Sequence, residues 1–146
     1  MKKYGPVGLA IIIGLIFGNL IFDSYETEAV MSSDGNVYML QYGAYVSEDV
    51  MKENIKNLTD YFYITEEHDD VYYIYLGVST NYDNALNIAK IYKDKDIHLY
   101  IKENYLGNSN LIGKIKELDK LIETEKDDKE ILTYVKKGLV LYNNNY

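Results

Sequence analysis

The sequence predicts an α+β fold: a four-stranded antiparallel sheet with two helices on one face, preceded by one transmembrane helix and followed by C-terminal amphipathic helices. Three observations predict it. Val7 to Phe22 is a 16-residue run in which only Asn19 is polar. From Val37 the apolar pattern reads strand, helix, strand, and then repeats. Beyond Tyr105 only helical spacing remains, with Leu111, Ile115, Leu118 and Ile122 on one face and Ile131, Leu132, Val135 and Leu139 on another. Of 146 residues, about 110 remain for folding, enough for a single domain with one modest core.

Met1-Lys2-Lys3 precede the apolar run, and Asp23, Glu26 and Glu28 follow it. Counted from Tyr4 the segment is roughly 28 Å long as a helix, close to the thickness of a bilayer's hydrocarbon core. A cleaved signal peptide ends in an A-x-A-like site; Thr27-Glu28-Ala29 matches poorly, so residues 1–22 read as an uncleaved anchor. The lysines hold the N-terminus in the cytoplasm, which puts residues 23–146 outside the cell membrane. Gly14 and Gly18 form G-x-x-x-G, a spacing that lets two membrane helices approach as a homodimer; the ordinary glycine content of membrane helices produces the same pattern. Residues 23–36 are acidic and turn-rich and read as a linker that keeps the domain close to the membrane.

Val37–Tyr45 is rich in aromatic and apolar residues and reads as the first strand. Ser47 suits an N-cap for a helix bearing Met51, Ile55, Leu58 and Phe62 at helical spacing. Tyr61–Thr65 reads as a second strand and Glu66–Asp70 as a polar turn. Val71–Ser79 is a third strand. Thr80 or Asn81 then caps a helix with Ala85, Ile88, Ala89 and Tyr92 on one face. Ile97–Lys102 alternates and closes the set as a fourth strand. Asn104–Asn108 reads as a loop and Tyr142–Tyr146 as a frayed end.

The two halves repeat at an offset of 34: Val37, Tyr38, Leu40, Gly43 and Ala44 align with Val71, Tyr72, Ile74, Gly77 and Val78. Tetratricopeptide repeats share that period but need two helices per repeat, whereas each half here opens with a strand. The order β-α-β-β-α-β is the ferredoxin-like split unit, over residues 37–105, with 106–146 as a helical extension. Strand side chains alternate, so Leu40, Phe62, Ile64, Ile74, Leu76, Ile97, Leu99 and Ile101 are expected to face the two helices. Met39, Gln41, Tyr61, Tyr63, Tyr73, Tyr75, His98, Tyr100 and Lys102 are expected on the other face, a tyrosine-rich platform.

Composition removes several functions. There is no Cys, which excludes a disulfide scaffold, thiolate catalysis and Cys-based zinc sites. All 15 basic residues are lysine and the net charge is −8, a poor basis for binding nucleic acid. No H-E-x-x-H, G-x-S-x-G or glycine-rich phosphate loop occurs, and no pair of carboxylates is placed for glycoside hydrolysis. His68 among Glu66, Glu67, Asp69 and Asp70 reads as a solvated turn rather than a cation site. A non-enzymatic chain without a cofactor or metal is the expectation. Of the 17 tyrosines, 12 lie between Tyr38 and Tyr105. Aromatic rings suit the C–H face of a sugar, and Gln41 supplies both a donor and an acceptor. The competing occupant of that face is the chain's own amphipathic tail, which otherwise lacks a surface to cover.

Tyr38-Met39-Leu40-Gln41-Tyr42-Gly43-Ala44-Tyr45 resembles the opening strand of a SPOR domain, the sporulation-related repeat, and Tyr73-Ile74-Tyr75-Leu76-Gly77-Val78 resembles that family's second signature. Helix-start residues follow both, as in the family, and the match covers about Val37 to Glu103. The resemblance implies a ferredoxin-like domain that binds peptidoglycan glycan strands through its exposed sheet face, in bacterial cell division or sporulation. By position the family's first-strand glutamine is Gln41. A polar residue after the first glycine is Ala44 here, positions that bear Trp and Arg in the family are Val71 and Tyr73, and the proline after the second glycine is Val78. The resulting candidate glycan contacts are Gln41, Tyr63, Tyr73, Tyr75, His98 and Tyr100. The alternative is a protein–protein interaction module of the same fold in a membrane-bound division or sporulation complex, its sheet face covered by the C-terminal helices.

Overall fold

The computed structural model describes residues 35–145. The expected anchor, with Gly14 and Gly18, and nearly all of the linker lie outside the described residues. Among the described residues no helix is long and apolar enough to cross a membrane.

The elements run β1 (Asn36–Tyr45), α1 (Glu48–Ile55), β2 (Ile64–His68), β3 (Val71–Ser79), α2 (Tyr82–Lys93), β4 (Tyr100–Tyr105), α3 (Ser109–Thr124) and α4 (Asp128–Asn145), with a 3₁₀ turn at Lys56–Leu58 after α1. The strands form one antiparallel sheet in the order β2-β3-β1-β4. The units β1-α1-β2 and β3-α2-β4 each cross over one strand, which fits a ferredoxin-like fold.

The 34-residue repeat governs how the two central strands meet. Leu40 sits opposite Gly77, and its repeat equivalent Ile74 sits opposite Gly43. The ladder skips Leu76 on β3 and Tyr42 on β1, again equivalent positions, so each central strand carries a matching bulge. Both glycines serve close approach. A Cβ at Gly77 would lie 2.6 Å from Leu40 Cδ1 and 2.9 Å from Val135 Cγ1, and one at Gly43 would run into the Tyr45 ring. Helix starts follow from side-chain caps. Ser47 Oγ accepts from the Val50 amide at 3.5 Å, and Asn81, rather than Thr80, accepts from the Asn84 amide at 3.1 Å.

Three expectations shift. The second strand begins at Ile64 and continues through His68, because Asp69 and Asp70, at φ 52° and 62°, form the hairpin turn by themselves. Two acids in left-handed conformation do what Asn-Gly usually does, so the strand does not end at Thr65. Ile64 then lies opposite Tyr75 and shares its face, away from α1 and α2. Phe62 packs with that same group, while Tyr61 and Tyr63, ahead of the strand, pack against the helix side. The fourth strand starts at Tyr100 and runs to Tyr105, because Asp96 turns at φ 61° and Ile97–Leu99 has not yet joined the sheet. The C-terminus stays helical to Asn145, held by the buried Tyr142.

Two cores result. On one face Leu40, Ile74 and Leu76 pack with Met51, Leu58, Ala85, Ile88 and Tyr92. On the other Val37, Met39, Ile64, Tyr75 and Val78 pack with Leu111, Ile112 and Ile115 of α3 and Leu139 and Tyr142 of α4. α4 ties the two together, since its Ile131 and Val135 belong to the first core. Each fully buried aliphatic side chain stabilises by about 1.5–3 kcal/mol. Both faces of the sheet are therefore sealed along β3, from Ile74 to Ser79.

The tail-covered sheet face as candidate site

The candidate platform is assembled by strand pairing. Gln41 stands between Tyr75 on β3 and Tyr100 on β4, Met39 stands between Val78 and Lys102, and Ala44 stands beside Tyr73. Tyr73 and Tyr75, two residues apart on β3, lie parallel with ring centres 6.1 Å apart. Lys102 Nζ sits 4.1 Å from the Tyr73 ring centre and donates to the Tyr75 hydroxyl at 3.3 Å. Burial pushes the Lys102 ammonium down from its ordinary value, and the Glu66 carboxylate partly offsets this. Burial also pushes the phenols of Tyr73 and Tyr100 up. His68 Nε2 meets Glu66 Oε2 at 3.1 Å and its ring stands beside Tyr73.

α3 and α4 close most of this face. Tyr75 is 0% exposed and Gln41 4%, so neither side chain reaches solvent. Tyr73 and Tyr100 stay half-buried at the margin, and Lys102 occupies one face of the Tyr73 ring. Tyr63 lies with the helix-side core. His98 is exposed in the loop before β4, where it lines a groove beside α2. Of the six candidate contacts, Gln41, Tyr73, Tyr75 and Tyr100 converge on one face, and Tyr63 and His98 do not.

The cover is fastened by a buried polar latch. Asp119 of α3 is 4% exposed. Its carboxylate accepts from the hydroxyls of Ser79 and Thr80 at 2.5 Å each, from the Thr80 amide at 2.8 Å and from Asn84 Nδ2 at 3.3 Å. Asn84 Nδ2 also donates to the Asp119 carbonyl at 3.0 Å, and Asn81 Nδ2 donates to Glu123 Oε1 at 2.9 Å. Two carboxylates of the tail thus meet the N-terminus of α2, where helix amides and the macrodipole favour negative charge. Sequence reasoning passed over Asp119. The signal was there: it falls four residues after Ile115 and three before Ile122, inside the apolar stripe, where an acid needs a buried partner.

No protein-family model matches the chain, and neither does any curated protein or solved structure. The reading of the site therefore rests on its own geometry. A platform of tyrosines with a cation over the rings could hold a sugar or an aromatic group, but its centre is filled by the chain's own tail.

Proposed function

We propose that the chain is a non-enzymatic protein–protein interaction module, tethered to the outer side of a bacterial cell membrane by residues 1–22. The observation that carries this reading is the burial of Tyr75 beneath α3 and α4, with Gln41 buried opposite it in the strand pairing. A SPOR-type glycan contact uses that face open. With the face closed, the surfaces left for recognition are the helices and the free strand edges, which suit a protein partner. The resemblance of Tyr38–Tyr45 and Tyr73–Val78 to SPOR signatures supports a place in division or sporulation machinery. Glycan-strand binding is the second reading, favoured by the Tyr73–Tyr75 stack at the platform's margin; it requires the tail to lift.

The test is retention of the full chain, in mild detergent, on sacculi with and without stem peptides, beside in-cell photocrosslinking from the exposed Leu86 and Leu121. The expected result is no retention on either sacculus preparation and discrete crosslinks to another membrane-bound protein. Retention that rises when stem peptides are stripped would overturn the closed-module reading in favour of glycan binding.

A further inference from the structure

We propose that the groove between α2 and β4 binds an extended acidic segment of a partner protein, which joins the sheet at β4 as a fifth strand. This inference rests on the interaction-module reading and names the chemistry of the partner.

Two independent features meet at this place. The first is a groove of about 600 Å³ with an apolar floor of Leu86, Ala89 and Leu99 and a rim of Lys90, Lys93 and His98. Leu86 is 42% exposed, one of the few large apolar side chains the described residues leave in solvent. The chain's net charge is −8, yet this groove shows only basic groups. Among the described residues neither Lys90 nor Lys93 is in an ion pair, and the neighbouring acids Asp94 and Asp96 do not line the groove. Two unpaired ammonium groups beside an apolar floor complement a segment that presents carboxylates and alternating apolar side chains.

The second feature is the free edge. β4 is an outer strand, and among the described residues no strand pairs with its far side. Its amides and carbonyls on that side offer a ladder for an added strand. Tyr100, where β4 begins, is itself part of the groove lining, so a strand laid along β4 passes the groove. The opposite edge differs in charge. β2 carries Glu66 and Glu67 and is followed by Asp69-Asp70, which together repel an acidic strand, whereas β4 carries one charge of each sign, Lys102 and Glu103, and the Glu103 carboxylate accepts from the Asn36 side-chain amide. Charge therefore chooses β4. An incoming segment would pair its backbone with β4, set one apolar side chain on Leu86 and Leu99, and bring its carboxylates to Lys90, Lys93 and His98.

The test is selection of a random decapeptide library on the full chain in lipid nanodiscs, followed by amide-shift mapping with an enriched peptide. The expected result is enrichment of sequences alternating acidic and apolar residues, with shifts concentrated on Tyr100–Tyr105 and on α2 at Lys90 and Lys93. The double substitution Lys90→Glu with Lys93→Glu should weaken that peptide at least about tenfold, with unchanged thermal unfolding. The milder pair Lys90→Ala with Lys93→Ala should weaken it in the same direction. A proline placed mid-peptide should abolish binding by removing a ladder donor. No enrichment, enrichment of basic sequences, shifts away from β4, or indifference to both double substitutions would each overturn the proposal. If crosslinks to a protein partner persist while the library yields nothing at β4, the groove assignment fails and the interaction-module reading stands. If sacculi retain the chain and no partner crosslinks, that reading itself fails.

Discussion

The two faces of the sheet are closed by different means. The helix-side face is sealed chiefly by α1 and α2, joined by Ile122 of α3 and Ile131 and Val135 of α4, and the packing onto Leu40, Ile74 and Leu76 is almost wholly aliphatic and aromatic. The tail-side face has an apolar centre but carries Gln41, the Tyr73–Tyr75 stack and Lys102, and its cover is pinned by Asp119. The first closure is what a ferredoxin-like unit needs in order to fold. The second is an added lid with polar fastenings, so the two should differ in how they fail.

The largest effects come from the cores. Ile88→Ala on the helix side and Leu139→Ala on the tail side should each cost about 2–5 kcal/mol in denaturant titrations. Their hydrogen-exchange patterns should differ: Ile88→Ala loosens the sheet and α2 together, whereas Leu139→Ala loosens α3 and α4 first. Uniform loosening in both variants would erase the proposed distinction. Asp119→Ala strips the Thr80 amide and hydroxyl of their acceptor, while Ser79 Oγ keeps the Asn81 carbonyl and Asn84 Nδ2 keeps the backbone carbonyl of residue 119; it should cost about 1–3 kcal/mol, again with exchange rising first in α3. Gly77→Ala pushes a methyl against both Leu40 and Val135. It should cost about 1–3 kcal/mol by overpacking, and Val135→Ala should relieve part of that cost in a double-mutant cycle.

Alkaline pH should destabilise the fold through its buried phenols. Burial pushes the phenols of Tyr45 and Tyr92 far above their ordinary 10.0, and those of Tyr73 and Tyr100 on the tail side less strongly. Unfolded phenols ionise near 10.0 while native ones keep their protons, so the native state binds more protons and stability falls as pH rises past 10. Lys102 works in the opposite direction. Its native pKa lies below 10.5, so its contribution to stability improves as pH rises through the interval ending there. The phenolate absorption of Tyr45 and Tyr92, isolated as the difference from the Tyr45→Phe, Tyr92→Phe variant, should therefore appear only together with unfolding, and that double substitution should delay the unfolding. The smallest effect is a gain. A Cβ at Gly113, on the exposed side of α3, meets nothing within 4 Å. Gly113→Ala should stabilise α3 by about 0.8–1.0 kcal/mol, seen as slower exchange confined to the lid.

Much of the helix-side face was legible in the sequence. The 34-residue repeat placed Gly43 and Gly77 as equivalents, and the register confirms the equivalence by setting each against its partner's aliphatic residue. Ser47 announced α1, Thr80 or Asn81 announced α2, and the apolar stripes of α3 and α4 were plain. The tail-side face was harder for physical reasons. The turn at Asp69-Asp70 has no glycine, so the whole of Glu66–Asp70 read as the turn; with the strand running Ile64–His68, Ile64 lies on the other face and Tyr61 and Tyr63 on the helix side. Tyr is equally at home in solvent and in a core, so alternation could place Tyr73 and Tyr75 on one face but not say what covered them. The occupant was decided by long-range contacts, Asp119 to Ser79 across 40 residues among them, which no local pattern carries.

Tyrosine nitration of the full chain, resolved by residue with mass spectrometry, tests the closure directly. Tyr105, 75% exposed, should react readily, while Tyr75 and Tyr142 should stay protected until the protein unfolds. In Asp119→Ala, Tyr75 should become reactive under conditions where Tyr92 of the helix-side core remains protected. Nitration of Tyr75 in the unaltered chain at the rate of Tyr105 would contradict a sheet face closed by its own tail.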